Sequence, residues 1–167
     1  MNEANRPSIK RLDILFLSFF GVGFLPKAPG TWGTLATLPF LYLLGTFNPP
    51  YVLFIPFIVI MTVISSFIAD IVQKKFDLHD PQFIVIDEVL GMSVAWLFIQ
   101  KHNLTHLFIL FILFRFFDII KIWPASYFDK EVDHGAGTIL DDIVSGIFAG
   151  LVYLVINYIF SINFNLI

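Results

Sequence analysis

A small set of carboxylates and two cations carry the chemistry available to this chain of 167 residues. Asp87-Glu88 and Asp141-Asp142 are adjacent acidic pairs, each near the mouth of an apolar run, and Asp80 precedes the first pair. Arg115, Asp118 and Lys121 recur every third residue, which places them within one broad helical arc. Asp129 follows in the next loop, after Trp123-Pro124. Carboxylates gathered in a low-dielectric site repel one another unless a cation neutralises them. Hard oxygen donors, in a chain with no cysteine and four histidines, favour Mg²⁺. A guanidinium and an ammonium beside such an ion suit a phosphate, the first gripping two oxygens and the second acting as a point charge. Metal and cations together stabilise a phosphoryl-transfer transition state and can activate water.

Each member of the set also has a plainer reading. Arg115 and Asp118 would make a structural ion pair at a helix end, and Asp141-Asp142 would complement a helix dipole. Asp129, Glu131 and Asp133 would suit a solvated loop, the favoured reading for Glu131. His79 and His134 read as polar loop residues, and His102 and His106 as structural ones. The joint pattern is harder to explain this way than any single residue.

The elements that must position these groups are membrane helices. The chain is 57% hydrophobic and 14% charged, with 21 phenylalanines, whereas soluble domains are about 45–50% apolar and about 25% charged. Its length suits one domain over residues 1–167. The absence of cysteine removes disulfides, thiolate nucleophiles and Cys-ligated metals. Leu12 to Leu25 is too short for a span of about 20 apolar residues and reads as an interfacial or re-entrant helix. Pro26-Lys27-Ala28-Pro29 follows it where a signal peptide would have a cleavage site, so the segment is expected to be retained. Pro26 to Thr34 reads as a rigid turn. Thr34–Phe47, Tyr51–Val72, Phe83–Ile99, Leu104–Ile120 and Ile139–Phe160 read as membrane helices, with Gln73–Gln82 a polar loop. The expected fold is all-α: a polytopic helical membrane protein of about five embedded helices plus the short amino-terminal one. Gly135-Ala136-Gly137 reads as a glycine turn. Ser145, Gly146, Ala149 and Gly150 form a small-residue ladder that admits a close neighbouring helix.

Alternating these helices puts Arg6, Lys10, Arg11, Lys27, Lys74, Lys75, Arg115, Lys121 and Lys130 on one side of the membrane and only Lys101, of ten basic residues, on the other. That is the positive-inside pattern, with the basic side cytoplasmic. The acidic residues lie on or near the same side. A transport path would need polar groups through the midplane, and few are present, so a one-sided site at the membrane surface is expected.

Three stretches, PKAPGTWGTLATLPF (26–40), HDPQFIVIDEVLGM (79–92) and FRFFDIIKIWPASYFDKEVDHGAGTILDDIVSG (114–146), resemble the phosphatidylglycerophosphatase A family of bacterial phospholipid synthesis. They occur in the family's order and cover roughly half of the chain. The resemblance implies a Mg²⁺-dependent phosphoric monoester hydrolase of the bacterial inner membrane, multi-pass, with its active site facing the cytoplasm. It would convert phosphatidylglycerophosphate in the bilayer to phosphatidylglycerol and phosphate. The family's acidic positions match Asp80, Asp87, Glu88, Asp118, Asp129, Asp141 and Asp142, and its basic positions Arg115 and Lys121. On this reading Asp80, Asp87, Glu88, Asp141 and Asp142 are the expected metal ligands. Lys27, Thr31, Gly135 and Gly137 join Arg115 and Lys121 as expected substrate contacts. Asp118 is expected to orient Arg115 or act as a base, and either direct attack by water or an aspartyl-phosphate would serve. The chain departs from the family's usual pattern at Lys121-Ile122-Trp123-Pro124, where Lys-Pro-x-Pro is common, at Asp133-His134, where more glycine is common, and at Thr34, where serine is usual. Membrane lipids are the expected surroundings; nothing suggests nucleic acid. The rival readings are a nucleotide-activated phosphatidyltransferase, a small cation transporter and an inactive structural subunit.

Overall fold

The structure, a computed structural model, describes residues 7–47, 51–78, 81–132 and 134–164. The described residues form seven α-helices and no strand: α1 (Leu12–Leu17), α2 (Pro29–Thr46), α3 (Tyr51–Phe76), α4 (Ile86–Trp96), α5 (Leu104–Ile120), α6 (Ala125–Glu131) and α7 (His134–Phe164). The all-α expectation holds. Two helices, over Leu53–Phe76 and Gly135–Phe160, are long and apolar enough to cross a membrane. Large apolar side chains on α3, among them Leu53, Val63 and Phe67, stay exposed, as lipid-facing residues would. α2 and α5 are shorter, at 18 and 17 residues.

Local chemistry sets several boundaries. α5 begins where Asn103 accepts the His106 N–H at 3.0 Å, a side-chain N-cap, and it matches the expected range. α2 begins at Pro29, five residues ahead of expectation, because proline at the first helical position has its φ preset and needs no N–H. The run expected to be a rigid turn is therefore partly the first turn of a helix. α3 continues past Val72 and takes in Gln73. α7 begins at His134, so Gly135 and Gly137 are helical residues, not a turn.

The largest departure is α4. Its 11 residues rise about 16 Å, half of the roughly 30 Å hydrocarbon core, so this helix by itself does not span. It is instead the wedge of the fold: every residue except Glu88 is buried, and it packs against α2, α3, α5 and α7. Met92, Ala95 and Trp96 join one core with Leu107, Phe114 and Tyr153. Ile86, Val89 and Leu90 join a second with Leu17, Val72 and Ile139. The expected small-residue ladder explains the close crossing with α7. A Cβ at Gly146 would lie 2.2 Å from the Gly91 carbonyl oxygen, and one at Gly91 would lie 2.6 Å from the Asp142 carbonyl oxygen. Such approach gains dispersion contacts where no hydrophobic driving force separates helix from lipid.

α1 is too short to cross anything. It lies as a strap on the segment leading into α4: Leu17 accepts the Val85 N–H at 3.0 Å, and Phe24 stacks on Phe83 at 5.5 Å.

Candidate active site

Close packing of α4 on α7 brings the two acidic pairs to one place. Asp87 and Glu88 lie in the first turn of α4, Asp141 and Asp142 two turns into α7. Together with Arg115, Asp118 and Lys121 they line a polar cavity of about 230 Å³, closed on another side by Ala28, Pro29 and Gly30. The four elements come from distant parts of the chain, and one cavity holds every described carboxylate and cation expected to be catalytic.

Within it the charges sort into two groups. Asp87, Glu88 and Asp142 each offer an oxygen, all within 4.8 Å of one another. Asp87 and Asp142 are buried, at 8% and 3% exposure. Backbone bonds fix the acidic pairs: Glu88 N–H donates to Asp87 Oδ1 at 3.1 Å, and Asp142 N–H to Asp141 Oδ1 at 2.9 Å. Glu88 Oε2 is buried and has no hydrogen-bond partner among the described residues. An orphaned acceptor beside two buried carboxylates, with only oxygen donors around, fits a small hard divalent cation.

The second group is cationic. Arg115 Nη1 lies 2.5 Å from Asp118 Oδ2 and 3.8 Å from Glu88 Oε1, and donates to Thr34 Oγ1 at 3.4 Å. Its Nε is buried and donates to no described group. Lys121 donates to Asp141 Oδ2 at 2.6 Å and also to Asp129. Burial works against the Lys121 charge, but Asp141 and Asp129 more than offset it and hold the ammonium well above its ordinary value. Lys121 ends α5 in the left-handed region, at φ 48°, a conformation costing a non-glycine residue about 1–3 kcal/mol. Its two carboxylate partners hold it there.

Asp141 thus faces Lys121 and stands apart from the oxygen trio. Asp80 lies outside the described residues. Lys27, exposed, and Thr31 stand next to the Ala28–Gly30 wall without lining the cavity. Gly135 packs on the backbone of Ser66 and Asp70, and Gly137 on that of Phe128 and Val132; neither lines the cavity. Both let α7 approach its neighbours closely.

Three contributors escape sequence reasoning. A Cβ on Gly30 would lie 1.8 Å from Glu88 Oε1 and 3.3 Å from Arg115 Nη1, so the glycine makes room for the site. Thr34 accepts from Arg115 while donating to Gly30 O at 3.0 Å. Gln73, placed by sequence in a polar loop, is 2% exposed and donates to Thr138 Oγ1 at 2.9 Å, next to the acidic pair of α7. The only signal for Gln73 was its position directly after an apolar run.

Away from the cavity several buried hydroxyls bond within their own helices, while Ser65 Oγ and His102 Nδ1 have no hydrogen-bond partner among the described residues. Ser93, Thr37 and Ser145 each donate to a carbonyl of their own helix, at 2.7, 2.9 and 2.9 Å. At the far end His106 meets Tyr153 OH at 2.7 Å and His102 stacks near Trp96 at 5.0 Å, both structural roles.

Comparison with known proteins fixes the family. The model of the phosphatidylglycerophosphatase A family matches residues 15–157. The chain belongs to that family. The Escherichia coli phosphatidylglycerophosphatase A is 35% identical over 137 residues, covering 81% of this chain and 78% of its own. The Haemophilus influenzae phosphatidylglycerophosphatase A is 33% identical over 140 residues, 83% and 85% of the two chains. A Bacteroides thetaiotaomicron protein, provisionally named a phosphatidylinositol-3-phosphatase, is 30% identical over 167 residues, 92% of this chain and 98% of its own. No solved structure matches. Membership makes the chain a phosphatase, and the polar cavity gathers the described charged residues that the sequence marks as candidates for its chemistry.

Proposed function

We propose that this phosphatase hydrolyses the terminal phosphomonoester of phosphatidylglycerophosphate, releasing phosphate and leaving phosphatidylglycerol in the membrane. The observation that carries the reading is a pair of orphans in one cavity: a buried carboxylate oxygen, Glu88 Oε2, with no donor, and a buried guanidinium N–H, Arg115 Nε, with no acceptor, among the described residues. The first calls for a cation and the second for an anion, and a phosphate ester bound with a divalent ion supplies both.

In this reading Asp87, Glu88 and Asp142 hold Mg²⁺, which would draw charge from the phosphoryl oxygens and lower the pKa of water. Arg115 Nε donates to a phosphoryl oxygen, and Asp118 orients the guanidinium through its 2.5 Å contact. Lys121, fixed by Asp141 and Asp129, adds a point charge that stays on at physiological pH. Water attacks phosphorus, the bond to the headgroup oxygen breaks, and the water's proton passes to that oxygen as the alcohol leaves. In this reading the cavity faces the cytoplasm from a bacterial inner membrane, a side favoured by the basic residues at or beside it in sequence, Lys27, Arg115 and Lys121.

The relatives are phosphatases by name, so the transferase and transporter readings have no support, and the gathering of seven charged residues in one cavity argues against an inactive subunit. The decisive experiment is phosphate release by the purified chain in detergent, from phosphatidylglycerophosphate and from phosphatidylinositol 3-phosphate, with Mg²⁺ and then with chelator. Release from the first substrate that stops with chelator and returns with Mg²⁺ is the expected result. Preference for the inositol lipid, or release indifferent to chelator, would overturn the substrate or the metal respectively.

A further inference from the structure

Between α1, α2, α3 and α4 lies a second cavity, of about 500 Å³ and almost wholly apolar. We infer that it seats one acyl chain of the lipid substrate, an inference that rests on the lipid-phosphatase reading above. The two hydroxyls in its lining are already consumed, Thr37 by Gly33 O and Ser93 by Val89 O. It therefore offers dispersion contacts and no polar recognition, as a hydrocarbon chain requires. Its volume falls within the roughly 300–1,000 Å³ of ordinary ligand sites.

Helix register ties this cavity to the polar one. On α2 the residues Gly30, Thr34, Thr37, Leu41 and Leu44 repeat at helical spacing along one stripe. Gly30 lines the polar cavity, while Thr37, Leu41 and Leu44 line the apolar one. Gly30 and Thr37 stand seven residues apart, about 10 Å along the helix, which leaves room for the glycerol, phosphodiester and second glycerol between a terminal headgroup phosphate and the acyl esters. α4 divides in the same way: Asp87 and Glu88 line the polar side, and Ile86, Val89 and Leu90 the apolar side. From Thr37 to Phe47 the groove follows ten residues of α2, about 15 Å, which is half of the roughly 30 Å hydrocarbon core. Its depth is one leaflet, starting from about the level of the acyl esters.

Another apolar cavity, between α2 and α5, supplies the contrast. Leu35, Leu38, Tyr42, Thr105 and Phe108 are among its lining. Leu35, Leu38 and Tyr42 lie about 100° round α2 from Thr34, Thr37 and Leu41, so this cavity sits off the stripe that starts at Gly30.

The test uses the full chain in mixed micelles, with phosphatidylglycerophosphate bearing long acyl chains or dihexanoyl chains. Met61→Trp and Leu44→Trp fill the groove, and Thr105→Trp fills the contrast cavity. The groove variants are expected to raise the half-saturating surface concentration of the long-chain substrate about tenfold, as displacing two buried methylenes would. They should leave kcat/KM for the dihexanoyl substrate unchanged, and Thr105→Trp should alter neither. Equal effects on both substrates, or none, would overturn the inference. A second measurement needs no substitution: substrate carrying a diazirine midway along one acyl chain should label α3 around Phe57 and Met61. Labelling of Tyr42 and Phe108 instead, or labelling suppressed as well by excess phosphatidylethanolamine as by unlabelled substrate, would also overturn it, the latter by assigning the groove to bulk lipid. Wild-type protein that released phosphate from neither substrate would instead refute the lipid-phosphatase reading, a result separable from failure of the groove.

Discussion

Gly30→Ala separates the site from the fold more cleanly than loss of any charged residue. The added methyl would stand 1.8 Å from Glu88 Oε1, and ordinary contact begins at about 3.4 Å, so the Glu88 carboxylate must withdraw by well over an ångström. That carboxylate ends a flexible side chain, so the clash resolves by rotation and costs the fold little. Alanine is also favoured over glycine in a helix, by up to about 1 kcal/mol in the interior, and position 30 lies in the first turn of α2. Thermal unfolding should therefore shift by no more than a few degrees in either direction. The site has no such tolerance, because Glu88 leaves the trio now held within 4.8 Å and loosens its contact with Arg115. A misplacement of about 1 Å costs roughly 100-fold in rate, equivalent to about 2.7 kcal/mol of transition-state stabilisation. The assay is phosphate release across a Mg²⁺ titration, run beside thermal unfolding on the same preparation. Gly33→Ala is the matched control, because its methyl would meet Val85 Cβ at 2.8 Å; it should lower stability without displacing a charge. A Gly30→Ala protein with wild-type rate and wild-type Mg²⁺ response would refute the placement of Glu88 in the working site.

Asp87→Asn and Asp142→Asn should each abolish phosphate release while leaving the metal-free protein as stable as wild type or more so, since one buried like charge is removed. Both should also lose the Mg²⁺-induced rise in unfolding temperature, which for wild type corresponds to about 2.7 kcal/mol at 100 times the dissociation constant; retained activity in both would sink the ligand assignment. Lys121→Met strips the partner from Asp141, whose side chain is 5% exposed, and should lower stability by about 1–3 kcal/mol, a range discounted for the partly exposed lysine. Because the folded Lys121 value is raised, its contribution is complete below the ordinary lysine value of about 10.4 and is lost only as pH climbs through the higher folded value. The alkaline limb of the pH–rate profile should therefore coincide in wild type and Lys121→Arg, and an upward shift in the arginine variant would show that Lys121 titrates earlier than its partners allow. Gly146→Ala should destabilise the fold by about 1–3 kcal/mol of overpacking, since its methyl would stand 2.2 Å from the Gly91 carbonyl oxygen and backbone cannot rotate away; unfolding temperature measures it directly.

The sequence by itself determined the all-α class, the range of α5, and the charged residues Asp87, Glu88, Arg115, Asp118, Lys121, Asp141 and Asp142 that come to line one cavity, whereas Lys27, Thr31, Gly135 and Gly137 stand outside it. These follow from local causes: apolar runs that read as helices, an asparagine cap, and charges too costly to leave in lipid without a task. Even the close approach of a helix to α7 was foreshadowed by the ladder from Ser145 to Gly150, because only small residues admit so close a crossing. Local pattern misjudged Pro29-Gly30 as turn, Gln73 as loop and residues 83–99 as a span, since composition cannot tell a buried half-length helix from one that crosses. Only the tertiary structure decided how the charges pair. Asp87 and Asp142 lie 55 positions apart in the chain, and no periodicity says that Asp142 joins Asp87 and Glu88 while its neighbour Asp141 turns to Lys121. Adjacent residues on a helix point about 100° apart, which lets α7 aim Asp142 at α4 while Asp141 meets Lys121 at the end of α5. That division of labour is a property of the packing.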